Sequence, residues 1–255
     1  MALITLNFFS EALGMQTEAM VILPQRSAAG QIGISNRAEN KAYKCLYLLH
    51  GLSDDHTIWM RRTSIERYAS EYGICVVMPA AGRSFYCDMA HGQNYYTYIA
   101  KELPMRIQEF FHVSDKREDN YIAGLSMGGY GALKIALREK DRFCACGALS
   151  PVCDMDQMHG HGDPSLMINL YGQLTTPDLD CLAFLADREK DNPCKPRIYM
   201  ATGTEDFLYE NAQPLRRQLT ENGYDFTYVE NPANHNWIYW DQQIQEVLKW
   251  MFDKG

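Results

Sequence analysis

Six short apolar runs recur along the chain, at residues 45–49, 74–78, 121–125, 144–149, 198–201 and 226–229, and helical patterns separate most of them. Such nearly continuous apolar runs are typical of strands buried on both faces. Helical spacing is found over 65–72, 96–111, 130–138, 210–222 and 237–252. Buried strands alternating with helices predict parallel strands joined by crossovers. Ahead of them, residues 3–8 and 18–23 flank Gly14 and read as an antiparallel hairpin. The predicted class is α/β, with a mostly parallel central sheet of about eight strands and helices on both faces.

No repeat, low-complexity tract or charge block breaks this pattern, and 255 residues suffice for a full core, so residues 1–255 are expected to form one domain. One region departs from it: residues 151–196 are loop-rich and carry Met155, Met158, Met167, His159 and His161. This reads as a cap-like insertion leaving the carboxyl end of a strand, where ligands sit in such sheets. The alternative is a surface excursion whose methionines pack on the core. His159-Gly-His161-Gly-Asp163 lacks a third and fourth metal ligand nearby and reads as a loop.

Composition excludes several partners. A formal net charge of −8 argues against nucleic acid, whose phosphates need clustered Lys and Arg. No apolar run approaches the ~18 residues that cross a bilayer, so no membrane partner is expected. The first basic residue is Arg26, so a signal peptide's basic start is missing and a cytoplasmic location is expected. The eight cysteines include several in apolar runs and no CxxC pair, which predicts free thiols rather than disulfides or a zinc site.

The chemistry is written in Gly124-Leu-Ser126-Met-Gly128, which stands between a predicted buried strand and a predicted helix. That is the nucleophile elbow G-x-S-x-G of the α/β-hydrolase fold: small residues let strand and helix approach, and the turn presents the serine at the sheet's edge. Gly128, Gly129 and Gly131 do not make a phosphate loop, since Gly-x-Gly-x-x-Gly is not met and no Walker Lys comes after them. A serine hydroxyl needs a base to take its proton, and the base needs a carboxylate to fix its tautomer. In this fold the acid and the histidine come after the serine in that order. After the run 198–201 come Glu205 and Asp206, of which Asp206 is the expected acid and Glu205 the competitor. After 226–229 comes His235, the one histidine beyond His161 and hence the expected base.

The oxyanion of an acyl-transfer intermediate needs two donors. The backbone N–H of Met127 is one candidate, and that of Leu52, in His50-Gly51-Leu52, is the other. Gly51 would allow close approach of substrate, although His50-Gly51 also reads as a plain turn. Trp59 and Trp237, near the oxyanion loop and the base in sequence, are candidate pocket walls.

These residues and several others together resemble the tributyrin esterase branch of the esterase D-like α/β-hydrolases, a group that also holds S-formylglutathione hydrolases and carbohydrate-acting esterases. The likeness runs through Glu11-Ala-Leu-Gly14-Met15, Leu48-Leu-His50-Gly51, Trp59-Met-Arg-Arg-Thr63 and Val77-Met-Pro79. It continues through Tyr95-Tyr96-Thr97, Glu102-Leu103-Pro104, Gly124 to Gly131, Asp206-Phe-Leu-Tyr209 and His235-Asn-Trp237. The resemblance implies a serine carboxylesterase for small acetyl to butyryl esters, working without cofactor or metal through Ser126, Asp206 and His235. By analogy alone it implies a homo-oligomer. Residues 151–196 match no pattern of the group, which leaves acyl length and alcohol open. The alternatives are a carbohydrate acetyl or feruloyl esterase, a thioesterase of the S-formylglutathione type, an acyltransferase sharing the acyl-enzyme, and a non-catalytic binding module.

Overall fold

The computed structural model describes residues 1–25, 41–160 and 165–253. Its eight strands are β1 (Ala2–Ser10), β2 (Met15–Leu23), β3 (Cys45–Leu49), β4 (Cys75–Pro79), β5 (Asn120–Leu125), β6 (Ala145–Leu149), β7 (Arg197–Gly203) and β8 (Phe226–Asn231). They form one sheet in the order β1-β2-β4-β3-β5-β6-β7-β8. β2 pairs antiparallel with both β1 and β4, and every pair from β4 to β8 is parallel. Every residue of β3, β4, β5 and β6 is buried, as their apolar runs predicted. Helices cover both faces. One apolar cluster joins the sheet to Met127–Arg138, Leu103–Phe110 and Tyr209–Glu221. The other joins it to Ile65–Tyr72 and Trp237–Phe252.

The hairpin turns at Gly14, whose φ of 66° suits a residue without a side chain. The turn is fastened from a distance by Glu102. Its buried carboxylate accepts the Ser10 hydroxyl at 2.5 Å and the N–H groups of Glu11 and Ala12 at 2.8 and 3.1 Å. This gives a physical reason for Glu102 and Glu11-Ala-Leu-Gly14 to occur in one chain.

Two elements differ from expectation. The helix predicted over 96–111 is broken into Tyr95–Thr97, a π-helical turn at Tyr98–Glu102 and Leu103–Phe110. Pro104 has no N–H to give to the carbonyl a turn earlier and its ring crowds that carbonyl, so the coil widens there. Among the described residues of 151–196 stand two seven-residue helices, Ser165–Tyr171 and Leu182–Arg188. Met155 and Met167 are buried in the same cluster as the helix after β5, so these methionines pack on the core. His161 and Asp163 lie outside the described residues, as does most of the polar stretch between β2 and β3. All eight cysteines are free, five of them buried. Among the described residues no helix is long and apolar enough to cross a membrane, and no cluster of His, Cys, Asp and Glu could hold a metal.

The C-terminal helix lies on β6 through Gly147, where a Cβ would come within 2.6 Å of Val247 Cγ1. Gly147→Ala is expected to cost about 1–3 kcal/mol by overpacking. The cost should shrink in a Val247→Ala background; equal shifts of the urea midpoint in both backgrounds would contradict this packing.

Candidate active site

β3 and β5 are parallel neighbours with Leu49 opposite Gly124. The chain leaves both strands at the same edge of the sheet, and three residues beyond these partners stand Leu52 and Met127. Two glycines bring the exits together. A Cβ on Gly128 would meet the carbonyl oxygens of Leu49 and His50 at 2.5 and 2.7 Å, and one on Gly124 would overlap Gly128 O. The helix Met127–Arg138 therefore starts in direct contact with the end of β3.

Ser126 makes the turn between β5 and this helix with φ 53° and ψ −116°, a conformation that costs a non-glycine residue about 1–3 kcal/mol. Its N–H is held by Leu149 O at 2.8 Å, which ties the turn to β6. His235 Nε2 lies 3.1 Å from Ser126 Oγ. On the far side of the ring, Nδ1 lies 2.9 and 3.0 Å from the two carboxylate oxygens of Asp206. Asp206 is 5% exposed, and its Oδ1 also accepts the Leu208 N–H at 2.8 Å. The competing carboxylate points elsewhere: Glu205 accepts from the Asn234 side chain at 3.0 Å.

The loops bearing Asp206 and His235 are stitched together. Thr204 N–H donates to Asn231 O at 2.9 Å and Glu205 N–H to Ala233 O at 3.1 Å. The approach is close enough that a Cβ on Gly203 would overlap Ala233 O. His235 stands just before Asn236, which caps the C-terminal helix by accepting Tyr239 N–H at 3.1 Å. Phe207 and Trp240 pack on the imidazole, with ring centroids 4.6 and 4.8 Å away. Phe207 is itself 61% exposed.

Met127 begins the helix, so its N–H has no helical carbonyl to bond and lies beside Ser126. Gly51 O accepts Asp54 N–H at 3.3 Å, closing a tight turn with Leu52 in it. The buried His50, which the sequence marks only as part of a turn, sets the attitude of this turn. Its Nε2 accepts the Ala81 N–H at 3.0 Å, so its proton sits on Nδ1, which donates to Gly51 O at 2.7 Å. Because a peptide unit is planar and trans, fixing Gly51 C=O on one side aims Leu52 N–H to the other. Trp59 is fully buried and donates its indole N–H to Leu49 O at 3.0 Å. It backs Trp237, which it meets edge-on at 5.1 Å, and Trp237 meets Trp240 at 5.3 Å.

Burial holds the His50 imidazole below its ordinary pKa of 6.5. The unfolded chain thus takes up a proton at a pH where the folded chain does not. Stability from this source is complete above pH 6.5 and is lost as the pH falls toward the depressed folded value. Urea unfolding from pH 8 to 5 should show a steeper acid decline for the native chain than for His50→Gln; parallel curves would rule out a buried neutral His50.

The Esterase family model, described as "Putative esterase", matches residues 10–251. The acetyl esterase of Caldicellulosiruptor saccharolyticus is 29% identical over 98% of each chain. Among solved structures, the fluorophosphonate-binding serine hydrolase F of Staphylococcus aureus, with substrate bound, superposes with a TM-score of 0.89 at 35% identity over 99% of each chain. The S-formylglutathione hydrolase of the same organism superposes with a TM-score of 0.86 at 34% identity, again over 99% of each.

Proposed function

This chain belongs to the Esterase family of α/β-hydrolases and is a serine ester hydrolase; from that premise we propose that it cleaves short-chain acyl esters, acetyl to butyryl, through an acyl-enzyme on Ser126. The observation that carries this reading is the run of contacts from Ser126 Oγ through His235 to the buried Asp206, at 3.1 and 2.9 Å.

In the proposed mechanism His235 Nε2 takes the Ser126 proton as Oγ attacks the ester carbonyl. Asp206 holds the ring with its proton on Nδ1 and stabilises the imidazolium that forms. The developing oxyanion takes hydrogen bonds from the N–H groups of Leu52 and Met127. His235 then gives its proton to the departing alcohol, and water repeats the sequence to release the acid. Every proton is carried by His235, and no cofactor is called on. The substrate is a small ester, and Trp237 and the exposed Phe207 are candidates for its surroundings; Gly51, expected to admit substrate, is buried, with Asp54 Oδ2 and Leu125 Cδ1 2.8 Å from where a Cβ would stand, so its missing side chain makes room for protein.

The acetyl esterase relative favours an oxygen ester with a small acyl group. A second reading, a thioesterase, is favoured by the likeness to S-formylglutathione hydrolase. Both share the acyl-enzyme and differ in the leaving group. Steady-state rates with p-nitrophenyl acetate, butyrate and octanoate, beside S-formylglutathione, separate them. The oxygen ester is expected to win, and a thioester preference above ~100-fold in kcat/KM, about 2.7 kcal/mol, would reverse the assignment.

Ser126→Ala is expected to abolish labelling by a fluorophosphonate and to lower kcat by at least ~1,000-fold. Asp206→Asn should lower kcat by roughly 10,000-fold through the wrong imidazole tautomer, while Glu205→Gln should stay within a few-fold of the native enzyme. A larger loss in Glu205→Gln than in Asp206→Asn would exchange their roles.

A further inference from the structure

We propose that Tyr86 is a positioning residue of the oxyanion loop, holding the His50 carbonyl and so the peptide that precedes the one presenting the Leu52 N–H. The inference rests on the reading of Ser126 and Leu52 given above. Tyr86 is fully buried and belongs to the loop after β4, far from the triad in sequence. Its hydroxyl donates to His50 O at 2.9 Å. Burial pushes its phenol well above the ordinary value of 10.0, so the hydroxyl stays a donor throughout the working pH range.

The residue is held in an unfavourable conformation. Phe85 and Tyr86 have φ of 46° and 54°, in the left-handed region that aromatic side chains avoid. Strain of this kind persists only where the surroundings over-determine it. Here three groups do so. Ser84 Oγ accepts the Tyr86 N–H at 3.0 Å. Lys134, fully buried in the helix after Ser126, donates to Phe85 O at 3.2 Å, Cys87 Sγ at 3.0 Å and Asp180 Oδ1 at 2.8 Å, so all three of its protons are used. Gly131, one turn earlier in that helix, leaves the space that the Tyr86 ring fills, since a Cβ there would overlap Tyr86 Cδ2.

The hydroxyl is thus aimed at one acceptor, and that acceptor matters because the next residue is a glycine. Gly51 has no side chain of its own, since Leu125 Cδ1 and Asp54 Oδ2 stand 2.8 Å from where a Cβ would be, so the peptides on either side of it take their orientation from their hydrogen bonds. Tyr86 fixes the carbonyl before Gly51, while His50 Nδ1–H and Asp54 N–H fix the carbonyl after it. With both planes pinned, Leu52 N–H keeps one direction before substrate arrives. A donor held in place ahead of the reaction lowers the barrier without tightening substrate binding.

The test is Tyr86→Phe, which keeps the ring and removes the hydroxyl, measured beside the native chain and Ser126→Ala. With p-nitrophenyl acetate, kcat is expected to fall about 10- to 100-fold with KM within about threefold, and affinity for a tetrahedral boronate should fall in step with kcat. If Tyr86→Phe does not fold, Lys134→Met, which frees Phe85 and Cys87, should show the same split with a smaller loss. Unchanged kcat with only a lower urea midpoint, or a loss confined to KM, would overturn the positioning role. Persistent turnover in Ser126→Ala would instead overturn the reading of the site itself, and is told apart because it needs no Tyr86 variant.

Discussion

The first turn of the helix after Ser126 rests on the carbonyl oxygens that end β3, and the rest of the site depends on that approach. Gly128 would meet Leu49 O and His50 O with any side chain, and Gly124 would meet Gly128. Two glycines therefore set the distance between the strand that delivers Ser126 and the loop that delivers Leu52. The approach also forces the Ser126 backbone to φ 53°, a conformation that Leu149 O then secures from the neighbouring strand. Parallel pairing of β3, β5 and β6 supplies the common edge at which all of this happens.

Much of this was legible in the sequence, for physical reasons that can be named. β3, β4, β5 and β6 are buried on both faces, so nearly every residue in them is apolar and the runs stand out. Ser126, Asp206 and His235, which the fold brings within 3.1 Å of one another in series, each come after a strand, and the order of those strands along the chain is readable from the apolar runs. Asp206 could not be separated from Glu205 by residue type. The separation comes from the turn after β7, which points one carboxylate inward to His235 and the other to Asn234.

The illegible part depends on contacts between distant segments. His50 is 31 residues from Ala81, whose N–H decides its tautomer. Tyr86 is 36 residues from the carbonyl it holds. Nothing local marks either side chain as more than core. Trp59 illustrates the reverse case: proximity in sequence to the loop that carries Leu52 suggests a pocket wall, whereas the fold spends its polar atom on Leu49 O and buries the ring. The insertion was obscure for another reason, since its two short helices are fastened by tertiary contacts rather than by periodicity. Tyr130 and Lys134, one turn apart on the helix after Ser126, both reach Asp180.

The backbone bonds from Thr204 and Glu205 to Asn231 and Ala233 have a mechanical consequence. They tie the loop that carries Asp206 to the loop that carries His235 at the rim formed by β7 and β8, while Ser126 stands where β5 ends, beside β6 in the same sheet. Moving one loop away from the other requires breaking both backbone bonds, so the ring's orientation toward Asp206 does not rest on the side-chain contact alone.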